Sequence, residues 1–154
     1  MSDLLVDEDR RQLRLRRRED WPVRMAEAMA AAQARKFAWG SHDCCSAVCR
    51  VIAAMTDHDP RSVLGSYKTR ADAMALMKEF GGVAEVSATL AARHGCNEIP
   101  VAFAQRGDPL LLPAEDDPMT HALGLCIGRR AIVAAQVGWR HFPLTAALRA
   151  WRLS

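Results

Sequence analysis

No stretch of these 154 residues approaches the ~20 consecutive apolar positions that a membrane-spanning helix requires. Cys-x-x-Cys pairs are also absent, although His42, Cys44, Cys45 and Cys49 crowd together. Adjacent cysteines on a helix point about 100° apart, so the cluster lacks zinc-ligand spacing and neither a metal nor a cofactor is expected. Five cysteines are an odd number, and residues 1–19 are charged rather than apolar. Both facts argue against a disulfide framework and for synthesis as a soluble chain in a reducing cytoplasm. Aromatic residues make up only 6% of the chain, and none interrupts the arginine run Arg10, Arg11, Arg14, Arg16, Arg17 and Arg18. Such a run, residues 1–19, reads as a solvated helix or arm, or as a surface for an acidic partner, an anionic wall polymer or nucleic acid; without rings to stack bases on, an appendage that docks on a partner is the expectation.

What remains is half apolar and a quarter charged, with a formal net charge of +3, enough for one domain with its own core. The expected domain spans residues 20–154. Asp20-Trp21-Pro22 reads as a helix start with Asp20 as cap, and Trp21, Met25, Met29 and Ala32 share one stripe. A second helix is expected from the run after Asp43, where Val48, Ile52 and Met55 recur at three- and four-residue spacing. A third begins after Thr69 and stops at Gly81-Gly82, and a fourth covers about 84–94. Beyond Gly95 the texture changes to short bounded apolar runs at 99–103, 110–112, 122–127, 131–137 and 139–144. Gly128-Arg129-Arg130 and Gly138 stand where tight turns would join strands, and 150–153 reads as a closing edge strand. Helices followed by an antiparallel meander make an α+β domain.

The chemistry is concentrated in Trp39-Gly40-Ser41-His42-Asp43-Cys44-Cys45-Ser46. Asp43 or Ser41 caps the following helix, which leaves Cys44 in its first turn. There the free N–H groups and the positive end of the dipole favour thiolate, the form that attacks carbonyl carbon. The neighbouring Asp43 carboxylate acts in the opposite sense through its charge. Cys45 and Cys49, one turn apart, are expected to pack against the sheet.

Three segments together carry a resemblance. Phe37-Ala38-Trp39-Gly40-Ser41-His42-Asp43-Cys44-Cys45, then Arg106-Gly107-Asp108-Pro109-Leu110-Leu111-Leu112, then Ala122-Leu123-Gly124-Leu125-Cys126-Ile127-Gly128 resemble the NlpC-type, papain-like cell wall cysteine peptidases. More narrowly, the chain resembles the small NlpC-like tail proteins of bacteriophages and gene transfer agents. They share the Asp-Trp-Pro opening, the Gly-Ser-Tyr-Lys-Thr segment at 65–69 and a final Ala-Trp-Arg like Ala150-Trp151-Arg152. The resemblance implies N-terminal helices packed on a small antiparallel sheet. It also implies a cysteine hydrolase that cuts peptidoglycan stem peptides during genome delivery, located in the virion tail and attached to tail-tip or hub proteins. Cys44 takes the nucleophile's place. The base stands two residues before the strand glycine in the family, where this chain has Ala122; His121 lies one step earlier and is the candidate base.

If Gly124 fixes the register, His121 shares a face with Leu123 and Leu125, while Ala122 and Cys126 face the thiol. A bulge, or a strand that starts only at Ala122, would free His121 to turn inward, and the preceding residues 116–120 are loop-like enough to allow it. Gln136 on the next strand is the candidate third member, with a solvent-facing polar residue as the other reading. His42 is read as a loop residue at the helix start or a base, and Asp108 as a turn residue. The alternative to the enzyme is a tail structural or assembly component that keeps the fold without catalysis.

Overall fold

The computed structural model describes residues 14–63, 66–114 and 120–154, and within them the chain is α+β. Four α-helices come first: α1 (Trp21–Gln33), α2 (Cys44–Thr56), α3 (Arg70–Phe80) and α4 (Val83–Arg93). Six strands follow: β1 (Glu98–Ile99), β2 (Pro109–Pro113), β3 (His121–Cys126), β4 (Arg130–Ala134), β5 (Trp139–Pro143) and β6 (Arg149–Trp151). They form one antiparallel sheet in the order β1-β6-β2-β3-β4-β5.

Both faces of the sheet are covered. Leu111, Leu123, Leu125, Ile132 and Trp151 point to the helices and join Met25, Val48, Cys49, Ile52, Met55, Val86 and Leu90 in the main core. Leu110, Leu112, Ala122, Cys126, Ala131, Val133 and Ala150 form a second layer on the opposite face, covered by Val101, Ala104, Phe142 and Leu144. A strand buried on both sides has no reason to alternate, which accounts for the unbroken Leu110-Leu111-Leu112 run. Gly124 belongs where β3 passes closest to its neighbours. A Cβ there would stand 2.6 Å from the Ile132 carbonyl oxygen and 2.6 Å from Leu112 Cδ1.

The helical expectations match closely, with one correction at α1. Asp20 makes no side-chain cap; its carboxylate accepts instead from Arg24 Nε at 2.8 Å, one turn on. Asp43, and not Ser41, caps α2, and Thr69 caps α3 by accepting from the Asp72 N–H at 3.1 Å. Met25 and Ala32 are buried on α1, with Trp21 and Met29 packed beside them.

Three strand expectations are corrected, one of them the run 131–137, which is strand only as far as Ala134. The run 99–103 is strand only at its start, because Pro100 has no N–H to donate and Val101–Phe103 turns into a 3-10 helix with Phe103 exposed. The closing strand is not an edge: β6 inserts between β1 and β2, with Ala150 fully buried opposite Ile99 and Leu110. Its two partners come from distant parts of the chain, a pairing that local spacing does not show.

Residues 14–19 are built into the domain. The Leu15 N–H donates to the His94 carbonyl, Arg17 to that of Ser154 and Arg18 to that of Met55, and Leu15 is buried. The rest of the arginine-rich arm, residues 1–13, lies outside the described residues.

Candidate functional site

Asp43 organises the segment around Cys44. Its Oδ1 accepts from the Ser46 N–H at 2.8 Å and from Ser46 Oγ at 2.8 Å, while Ser46 Oγ in turn accepts from the Asp43 N–H at 2.7 Å. This reciprocal capping box sets where α2 begins. Its Oδ2 accepts from the Gly40 N–H at 2.9 Å and from the Tyr67 hydroxyl at 2.5 Å. The carboxylate is buried, with four donors converging on it. Burial first, and then the negative charge of Asp43, push the Tyr67 phenol well above its ordinary pKa, so it stays a donor. Tyr67, the chain's single tyrosine, was not singled out from sequence as a site residue. Its position inside the Gly-Ser-Tyr-Lys-Thr segment was the available signal. Gly65 of that segment lies outside the described residues.

With the cap so built, Cys44 is the first residue of α2 and half-buried. It packs against the sheet layer that contains Ala122 and Cys126. It also borders a small cavity of about 10 Å³ with Trp39, Tyr67, Met77 and Leu123, room for about one water. Cys45 and Cys49 lie in the main core against the sheet. Their mutual hydrogen bond, then burial, push the Cys45 thiol well above its ordinary value. Of the two adjacent cysteines, Cys45 is therefore held as a neutral thiol.

His42 is sealed in the protein, with no partner among the described residues for either ring nitrogen and its ring edge-on to Trp139 at 6.4 Å. Its backbone does the local bonding, in a two-way bridge with Ala38. Burial, followed by the charges of Arg35 and Arg50, lowers its pKa. His94 is equally buried; its Nδ1 stands 2.7 Å from the Leu90 carbonyl oxygen, which makes Nδ1 the protonated nitrogen, and burial lowers its pKa too.

For both groups the folded value lies below the unfolded one, so the unfolded chain takes up protons first as pH falls. Their contribution to stability is complete above the unfolded value of about 6.5 and is lost as pH drops through the folded values. We expect denaturation midpoints to decline below about pH 6.5, and His42→Phe, which keeps a ring but cannot protonate, to flatten the decline. An unaltered slope in that variant would remove His42 from this account.

His121 opens β3 opposite Pro113, half-buried, with its Nδ1 3.0 Å from Thr120 Oγ1. Thr120 has a left-handed backbone, φ 62°. By strand alternation His121 lies on the helix-facing side with Leu123 and Leu125. The strand does not wait until Ala122, since β3 already includes His121, and residues 116–119 of the preceding loop lie outside the described residues. Gln136 is not within a strand: β4 ends at Ala134 and Gln136 sits exposed in the following bend. Its carbonyl accepts from the Phe37 N–H at 2.9 Å, tying this bend to the segment that leads into Gly40. The β3–β4 ladder consists of Leu125 with Ile132 and Cys126 with Ala131, and it reaches neither position 121 nor position 136.

Asp108 proves to be more than a turn residue. Fully buried, it accepts from Arg17 Nη2 at 3.0 Å, Arg152 Nη1 at 2.9 Å, the Leu153 N–H at 3.0 Å and the Gln105 N–H at 2.8 Å. Among the described residues no group of three or more His, Cys, Asp or Glu side chains is placed to hold a metal ion. No helix among them is long and apolar enough to cross a membrane.

These features define an α+β protein with a half-buried cysteine at a capped helix start, laid against a six-stranded antiparallel sheet. The chain belongs to the family described as Domain of unknown function (DUF6950), which it matches over residues 16–153. The match begins within the arginine run and takes in Arg17, the residue that binds Asp108. No curated protein matches the chain.

Proposed function

We propose that the protein is a papain-like, NlpC-type cysteine hydrolase of a bacteriophage or gene-transfer-agent tail. It is made in the bacterial cytoplasm, carried in the virion, and cleaves peptidoglycan stem peptides during genome delivery. The observation that carries this reading is the place of Cys44, first residue of a helix whose cap is held by four donors. Such a cap fixes the sulfur relative to the peptide dipoles that favour a thiolate. In the scheme, the thiolate adds to the scissile carbonyl and the oxyanion is met by the Cys44 N–H and a neighbouring donor. An imidazolium, assigned to His121, gives its proton to the leaving amine, and water then hydrolyses the thioester. Gln136 is the proposed third member that orients the ring. Tail-tip or hub proteins are the proposed partners of the segment that precedes residue 14.

A second reading, a tail assembly component without catalysis, draws on the His121 ring, whose Nδ1 is met by the Thr120 hydroxyl at the strand's beginning. The two readings part on thiol chemistry. An iodoacetamide-type electrophile at about pH 6 is expected to label Cys44 ahead of the buried Cys45, Cys49, Cys96 and Cys126, and to abolish release of peptides from purified wall. Wall digestion that survives complete Cys44 labelling removes Cys44 as the nucleophile, and no digestion by the unlabelled protein leaves the assembly role.

A further inference from the structure

On the face of the sheet turned away from the main core, two 3-10 turns, Val101–Phe103 and Leu144–Ala146, pack against each other over the layer of Leu110, Ala131 and Ala150. Each leaves a large apolar side chain in water. Phe103 is 65% exposed, and Leu148, just past the second turn, is 53% exposed. Both stand on fixed backbone: the Phe103 carbonyl accepts from Arg152 Nη2 at 2.8 Å, its N–H donates to the Pro100 carbonyl at 2.9 Å, and the Leu148 N–H donates to that of Leu111 at 2.8 Å. Groups so held lose little freedom when a partner covers them. Around this apolar centre the charge has one sign. The stretches 99–107 and 118–154, which build the face, carry one and five arginines respectively and no Asp or Glu. Two of these arginines are answered within the fold, Arg149 by Glu98 at 2.6 Å and Arg152 by Asp108 at 2.9 Å. Arg106, Arg129 and Arg140 are exposed and form no ion pair among the described residues. All three border the turns. Arg106 follows Phe103 by three residues, and the Arg129 carbonyl accepts from the Leu144 N–H at 2.9 Å where the second turn begins. Arg140 lies 5.1 Å over the ring of Phe142, which packs on this same layer opposite Ala131.

We infer that this face docks an acidic protein surface, with Phe103 and Leu148 as apolar anchors and Arg106, Arg129 and Arg140 as the rim that meets the partner's carboxylates. An aromatic anchor framed by arginine is the composition of a protein interface, and each guanidinium fork can take a carboxylate in two parallel bonds. The charge selects the occupant. A second copy of the same face would set arginine against arginine, whereas an acidic surface supplies the counter-charges that these elements lack. The face is separate from the segment that precedes residue 14, and it holds whether or not the chain is a hydrolase.

The test is selection of a random dodecapeptide library on the immobilised full chain. Recovered peptides are expected to be enriched in Asp and Glu around an aromatic or aliphatic residue. One of them, resynthesised, should bind about tenfold more weakly to Phe103→Ser and to Arg140→Glu, each checked for folding by thermal melting. Its affinity for the parent chain should fall as salt rises. No recovered binder, no acidic enrichment, or unchanged affinity in either variant overturns the inference. So do two further results. Phosphatidylglycerol vesicles that bind the parent chain but neither variant would give the face to a membrane, and a dimer in sedimentation that Phe103→Ser dissolves would give it to a second copy.

Discussion

Replacing Asp108 with alanine is expected to lower the unfolding free energy by about 3–5 kcal/mol, the range for removing one partner of a buried, hydrogen-bonded ion pair. The carboxylate has no exposed surface, whereas Arg17 and Arg152 retain 12% and 30% of theirs. Its removal leaves two guanidinium groups without their counter-ion and the N–H groups of Leu153 and Gln105 without an acceptor. Asparagine will not rescue it fully, because its amide places donors against donors on one side. The loss has a direction in the structure. Arg17 also donates Nε to the Leu153 carbonyl at 2.9 Å and Nη1 to that of Arg106 at 2.8 Å, and lies 4.2 Å over the Trp21 ring. Asp108 thus pins residues 14–18 to both the β2 turn and the C-terminal strand. In Asp108→Ala, trypsin should cut after Arg16, Arg17 and Arg18 before the rest of the fold yields, and urea titration should show the lowered midpoint. A midpoint equal to that of the parent would mean that the helices and sheet, without this ion cluster, hold the termini in place.

Gly40→Ala is the second large effect. Gly40 has φ +83°, and a Cβ there would lie 1.8 Å from the Tyr67 carbonyl oxygen, a backbone atom that no rotamer change can move. The left-handed conformation costs an alanine roughly 1–2 kcal/mol, and displacing the Tyr67 backbone adds about 1–3 kcal/mol of the overpacking kind. The strain falls on the Gly40 and Tyr67 bonds to Asp43, so the position of Cys44 shifts with it. Gly128→Ala supplies the control, since its φ is +104° but a Cβ would meet nothing within 4 Å. It should cost only the conformational part. Circular dichroism melts compare the two variants, and under the proposed hydrolase function Gly40→Ala alone should also lose wall digestion. Equal melting of the two variants would show that the loop yields around the new methyl group.

Residues near one another in the chain made much of this legible. Periodicity and turn residues placed all four helices, because each depends on spacings of three and four residues that are written locally. The start of α2 was readable from Asp43 or Ser41 as a cap ahead of the apolar run, and the structure chose Asp43 and added Ser46 as its reciprocal partner. The strands were harder. Pro100 cut a continuous apolar run to a two-residue strand, and β6 is central only because β1 and β2 flank it, a pairing between residues about 40 to 50 apart in sequence. Gln136 left its expected strand because β4 turns away at Ala134 to meet β5.

By itself the sequence determined the order of helices and strands and the place of Cys44 at a helix start, since these follow from hydrogen bonds within a turn or two of the chain. The tertiary structure alone decided that Tyr67 closes on Asp43, that Asp108 gathers Arg17 and Arg152, and that His42 is sealed away from solvent. Those outcomes depend on desolvation and on charges meeting across long loops, and neither quantity exists until the chain has closed on itself.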